Sequence, residues 1–142
     1  MREAVIEDIA MADGGTHFLV MLHAGGEGLL PIVIDETQAY ALLAAREGHD
    51  PARPGTHDLL QSVITLLGSE LKRVEVTELR DGIFYGQIVL ERNGVEFEVD
   101  ARPSDALALA ARAGCQILVA EQVLTENAFA EDDGEGGGSV QA

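Results

Sequence analysis

Tryptophan is absent from this chain, and aromatic residues make up only 4% of its 142 positions. A core must therefore be built from Ala, Val, Leu and Ile, and few rings remain for stacking unpaired bases. Cysteine occurs once, at Cys115, which excludes an internal disulfide and fits a cytoplasmic location. Basic residues are scarce, 9 Lys and Arg against 25 Asp and Glu, for a net charge of −16. Such a chain repels polyanions at long range, which weighs against indiscriminate DNA or RNA binding and leaves room for a local site. No run approaches the ~18 apolar residues of a membrane span. The opening "MREAVIEDIA" is too charged to read as a signal peptide.

Hydrophobic residues supply 46% of the chain, enough for the core of one domain. The last twelve residues, "EDDGEGGGSVQA", carry four acids and four glycines but only Val140 as a large apolar group. They have too little to bury to offset ordering entropy. The expected division is a folded domain over 1–130 and a disordered acidic tail over 131–142. Without the tail, acids still outnumber bases more than two to one.

The folded part repeats itself. "LPIVIDETQAYALLAAREG" aligns with "EFEVDARPSDALALAARAG" 66 positions on, and Val33, Leu43, Ala44, Ala45, Arg46 and Gly48 each match their counterpart. Both segments follow strand-like stretches around a glycine turn, so two β-β-β-α units are expected. In the second unit, a two-residue turn at Asn93-Gly94 pairs Leu90 with Phe97 and Ile88 with Val99 on an apolar face. Glu91, Glu96, Glu98 and Asp100 then fall on the opposite face. A three-residue loop at Arg80–Gly82 would bring Val74 and Val76 to the apolar face, since a one-residue slip reverses every side chain. Asp35 and Gln38 form a capping box for a helix over 36–47, and Thr56 is expected to cap the next one. A helix from Pro103 to Ala113, small on nearly all sides, should sit between layers. The spacing adds a strand over 116–119 and a short helix over 121–127. The fold class that results is α+β: a strongly bent, mostly antiparallel sheet with helices packed on it.

Three groups of residues invite chemistry. In "DARPSDALALAARAG", Pro103 suits a first helical turn, and Ser104 and Asp105 suit its polar start. Capping accounts for those three and leaves Asp100 and Arg102 unexplained. An Asp–Arg–Asp cluster there can orient a phosphate or a metal-bound water. In "RPGTHDLL", His57 opens a helix and can act as a base near neutral pH, or simply lie on the surface. Asp58, its sequence neighbour, points elsewhere on the helix, so an acid partner must come from another part of the chain, with Asp100 and Asp105 as candidates. The acidic sheet face is the third candidate. It reads either as a cation site for hard divalent ions or as a solvated surface.

Together, "RPGTHDLL", "VTELRDGIFYGQIVL" and "EVDARPSDALALAARAG" resemble the bifunctional nuclease domain, a family of small bacterial proteins and fused plant versions. The resemblance runs from about Met1 to Phe129. It implies hydrolysis of RNA or DNA. It also puts the family's His-Asp pair on His57 and Asp58, and its Arg-Pro-Ser-Asp motif on Arg102, Pro103, Ser104 and Asp105. Gly55 stands where members often carry a larger apolar residue. The expected mechanism has Asp100 and Asp105 hold a divalent ion, Mg or Mn, or its water. His57 serves as base or phosphate ligand, and Arg53 and Arg102 offset transition-state charge. The competing expectation is a non-catalytic module that binds a small anion or a protein partner. In either case a homo-oligomer is expected, a dimer first, because the core is modest for one chain.

Overall fold

The computed structural model describes residues 1–49 and 51–129; the expected tail at 131–142 lies outside the described residues. Strands β1 (Arg2–Ala12), β2 (His17–His23) and β3 (Leu29–Ile34) lead into helix α1 (Glu36–Arg46). Helix α2 (Thr56–Leu66) precedes β4 (Glu70–Arg80), β5 (Ile83–Arg92) and β6 (Val95–Ala101), which lead into α3 (Pro103–Ala113). Strand β7 (Gln116–Val119) and helix α4 (Glu121–Asn127) follow. The strands form one sheet in the order β3-β2-β1-β7-β4-β5-β6. Only β4 and β7 run parallel. The two β-β-β-α units thus lie as 3-2-1 and 4-5-6 on either side of β7, and α1 packs on α3. The sheet curls: β3 and the start of β5, five places apart, line one cavity beside α3.

The β5–β6 hairpin has the expected register, with Leu90 opposite Phe97 and Ile88 opposite Val99. Asn93 and Gly94 both hold positive φ, the mirror-turn geometry that matches strand twist. The β4–β5 tip differs from expectation. Arg80 pairs with Ile83, so the turn is the two residues Asp81 and Gly82, both at positive φ. That turn alone would send Val74 and Val76 to the acidic face. A bulge at Thr77, between the Val76–Gly86 and Glu78–Tyr85 pairs, restores them to the core. A second bulge at Lys72 brings Leu71 onto the same face as Val74, opposite Leu90.

Asp35 caps α1 as expected, its carboxylate accepting from the Gln38 N–H at 2.8 Å while Gln38 Oε1 accepts from the Asp35 N–H at 2.8 Å. The start of α2 is corrected by one residue. Gly55, in extended geometry, is the cap and Thr56 is already helical. The Gly55 N–H donates to Asp58 Oδ2 at 2.9 Å, so an acid inside the first turn does the satisfying. Helix α3 lies between α1 and α2 on one side and β4 and β5 on the other, with seven of its residues from Pro103 to Ala110 buried. Gly86 lets its first turn come close: a Cβ there would stand 3.0 Å from the Glu75 carbonyl, 3.2 Å from that of Ala101 and 3.5 Å from Pro103 Cα.

The core joins Val20, Leu22, Leu30, Ile32, Val74 and Val76 of the sheet to Leu42, Leu107, Leu109 and Leu124 of the helices. Helix α2 contributes only Ile64 to it. Leu59, Leu60, Val63, Leu66 and Leu67 are exposed, and so are Val95, Phe97 and Val99 on the edge strand β6. The acidic face opposite is tied by one arginine. Arg73 donates from Nε to Glu75 at 2.7 Å and from its two terminal nitrogens to Glu96 at 3.2 and 3.1 Å. This hydrogen bond holds the Glu96 carboxyl below its usual range.

Candidate active site

Three chain segments meet at the starts of α2 and α3. Pro103 fixes the backbone for the first turn of α3 and removes an N–H that would lack a partner. Asp105, in that turn, points at the start of α2, where His57 is the second helical residue. His57 Nε2 lies 3.0 Å from Asp105 Oδ1. Arg102, just before α3, donates from Nε to Asp105 Oδ2 at 2.9 Å and from a terminal nitrogen to Oδ1 at 3.3 Å. Burial disfavours the charge on Asp105. Hydrogen bonds from Arg102 and then His57, with their charges, outweigh it and hold the carboxyl below its ordinary value. The hydrogen bond to Asp105 in turn raises the Arg102 guanidinium further.

An ionised carboxylate only accepts, so in neutral His57 the proton sits on Nε2 and the lone pair on Nδ1. The imidazole is thus held in one tautomer at the wall of a cavity of about 360 Å³. Arg102, Arg112, Ser104 and Gln38 share that wall with His57 and Asp105. Ser104 is 7% exposed, and its Oγ has no hydrogen-bond partner among the described residues. A buried hydroxyl left in this way is costly unless a ligand or water completes it.

Of the residues singled out from sequence, His57, Asp105, Arg102 and Ser104 come together. Asp58 lines the same cavity in a different role: Oδ1 pairs with Arg112 Nε at 2.9 Å while Oδ2 holds Gly55. Arg112 also donates to the His49 carbonyl at 2.6 Å, so it clamps the loop and α2 onto α3. Arg112 was visible in sequence only as a repeat match with Arg46. Arg53 is exposed on the loop before α2 and does not line the cavity.

Asp100 does not join Asp105. It pairs with Gln87, and strand alternation puts it on the sheet face opposite α3, in the row of Glu75. The two carboxylates expected to hold Mg or Mn are thus not brought together. Asp105 has both oxygens on Arg102 and His57, Asp58 has both on Arg112 and Gly55, and Asp100 faces away. Among the described residues no three His, Cys, Asp or Glu side chains gather as metal ligands. This donor set does not fit a divalent ion.

A family model described as the bifunctional nuclease domain matches residues 19–132. An uncharacterized protein of Mycobacterium tuberculosis is 41% identical over 108 residues, which cover 76% of this chain and 64% of the relative. Bifunctional nuclease 1 of Arabidopsis thaliana is 31% identical over 105 residues, 71% of this chain and 32% of the relative. Bifunctional nuclease 1 of Oryza sativa subsp. japonica is 28% identical over 124 residues, 84% of this chain and 38% of the relative. The chain thus spans less than two thirds of the length of these relatives.

Proposed function

The chain belongs to the bifunctional nuclease domain family, and from that premise we propose that it hydrolyses phosphodiester bonds of RNA or DNA in the cavity holding His57 and Asp105. The observation that carries this reading is the 3.0 Å bond between His57 Nε2 and Asp105 Oδ1 at the wall of a concave site. His57 Nδ1 accepts the proton of the attacking oxygen, a 2′-hydroxyl of RNA or a water, as that oxygen bonds to phosphorus. The P–O bond to the leaving oxygen breaks, and that oxygen takes a proton from the imidazolium. Asp105 stabilises the imidazolium between the two transfers. Arg102 offsets the charge on the phosphoryl oxygens, and Ser104 donates its hydroxyl to one of them. The two arginines at the cavity wall, Arg102 and Arg112, work against the repulsion of an acidic chain. No helix among the described residues is long and apolar enough to cross a membrane, and a cytoplasmic location belongs to the same reading.

The test is cleavage of labelled single-stranded RNA and DNA with and without EDTA, beside Asp105→Asn and His57→Ala. Cleavage should persist in EDTA and fall at least ~100-fold in both variants. Equal cleavage by wild type and variants would remove this reading.

A second reading, an oligomeric module that binds a small anion or a protein partner without catalysis, is favoured by the bare face of α2. Leu66 is 85% and Leu67 63% exposed, and no charged residue lies between Leu59 and Leu67. Two copies of an acidic chain can meet there without opposing like charges. We propose a homodimer that pairs α2 with its counterpart, a self-complementary contact compatible with either reading.

A further inference from the structure

Beside the cavity of His57 and Asp105 lies a second one of about 440 Å³, formed where β3 curls toward the tip of the β4–β5 hairpin. The two share Gln38, Arg102 and Ser104, so the segment that starts α3 is a wall common to both. Their chemistry differs. The first carries imidazole, carboxylate and guanidinium. The second is lined mainly by apolar side chains, among them Ile32, Ile83 and Phe84. An apolar hollow with a few fixed polar groups is how proteins hold a flat, uncharged ring system.

We infer that this second cavity holds a nucleobase next to the scissile phosphate, and that Gln38 reads its edge. The inference rests on the nuclease reading for the phosphate, but the pocket is argued from its own walls. Phe84 is one of only four phenylalanines in the chain, and it is part-buried at this cavity rather than sealed in the core. The Gln38 carboxamide is polarised by its cap: Oε1 accepts from the Asp35 N–H, which fixes the amide's orientation. That leaves its Nε2 donors for acceptors such as base carbonyls or ring nitrogens. Arg102 spends Nε and one terminal nitrogen on Asp105, which leaves its other terminal nitrogen for a phosphate between the two cavities.

The test separates base from phosphate. Uridine monophosphate and ribose 5-phosphate are titrated into the full chain while backbone amide signals are followed by NMR. Cleavage of labelled RNA is compared with that of the same strand carrying abasic residues. Gln38→Glu keeps the acceptor for the Asp35 N–H and so the capping box, but loses the donors. Phe84→Leu keeps apolar bulk and loses the ring. Thermal melts confirm that both fold. The expected result is that uridine monophosphate shifts Ile32, Ile83 and Phe84 while ribose 5-phosphate does not. Each variant should weaken nucleotide binding about tenfold and raise KM for RNA, and Phe84→Leu should leave cleavage of the abasic strand unchanged. Equal binding of the two ligands, or shifts confined to His57 and Asp105, would overturn the base pocket. Base-dependent binding with no cleavage of any strand would leave the pocket standing and remove the nuclease reading instead.

Discussion

His57 and Asp105 stand 48 positions apart in the chain, and their side chains meet at 3.0 Å. Asp105→Asn is the sharpest probe of what that contact does. Asn keeps an acceptor oxygen and loses the charge, so the fold should lose about 1 kcal/mol or less. The imidazolium loses its stabiliser, and cleavage should fall ~100-fold or more. Rate measurements beside a thermal melt separate the two effects. Activity at the wild-type level would make the contact purely structural.

Acid should act through the same carboxylate. Asp105 is held below its ordinary value of 3.8, so the folded state favours its ionised form. Its contribution to stability is complete above that ordinary value and is lost as pH falls through the lowered one. The melting temperatures of wild type and Asp105→Asn, scanned from about pH 6 to pH 2, should therefore converge at the acid end. A constant gap would show that the charge is not the source of the difference.

Ser104→Ala should separate stability from binding. Its Oγ is buried without a partner among the described residues, so removing it is expected to be neutral or to stabilise by up to about 1 kcal/mol. Phosphate affinity should fall at the same time, because the hydroxyl is then lost as a donor to the phosphoryl oxygens. Urea unfolding and the KM for RNA read the two sides. Loss of stability with unchanged KM would mark the hydroxyl as structural.

Leu66→Glu tests the bare flank of α2. Leu66 is 85% exposed, so the monomer's stability should change by ~0.5 kcal/mol or less. If two copies meet along α2, light scattering of wild type at ~50 µM, a range in which weak symmetric contacts form, gives a dimer mass and the variant a monomer mass. Identical masses would rule out this face.

Much of the fold was legible because alternation and turn chemistry are local. The pairings of β6 with β5 followed from Asn93-Gly94 and the two-residue side-chain period. The β4–β5 tip was misread for a reason of the same kind. A longer loop and a bulge at Thr77 give Val74 and Val76 the same face, and sequence parity does not distinguish them. For the partner of His57 the sequence offers Asp100 and Asp105 as candidates. The alternation that puts Asp100 with Gln87 already points it away from α3. The clamp made by Arg112 was not legible, because it depends on where the loop carbonyl of His49 comes to rest. Nor does the apolar stripe of α2 say which of its sides meets the core: only Ile64 is buried.

Gly86 makes the two halves of the site unequal in stiffness. Asp105 belongs to a helix whose first turn approaches sheet backbone across a position with no side chain, so no rotamer change can loosen that seating. His57 belongs to a helix with one buried residue and a bare flank. Thermal play in the 3.0 Å contact therefore resides in α2, and amide exchange there should be the faster. Whatever adjustment a substrate requires, the carboxylate is the fixed post and the imidazole is the part that moves.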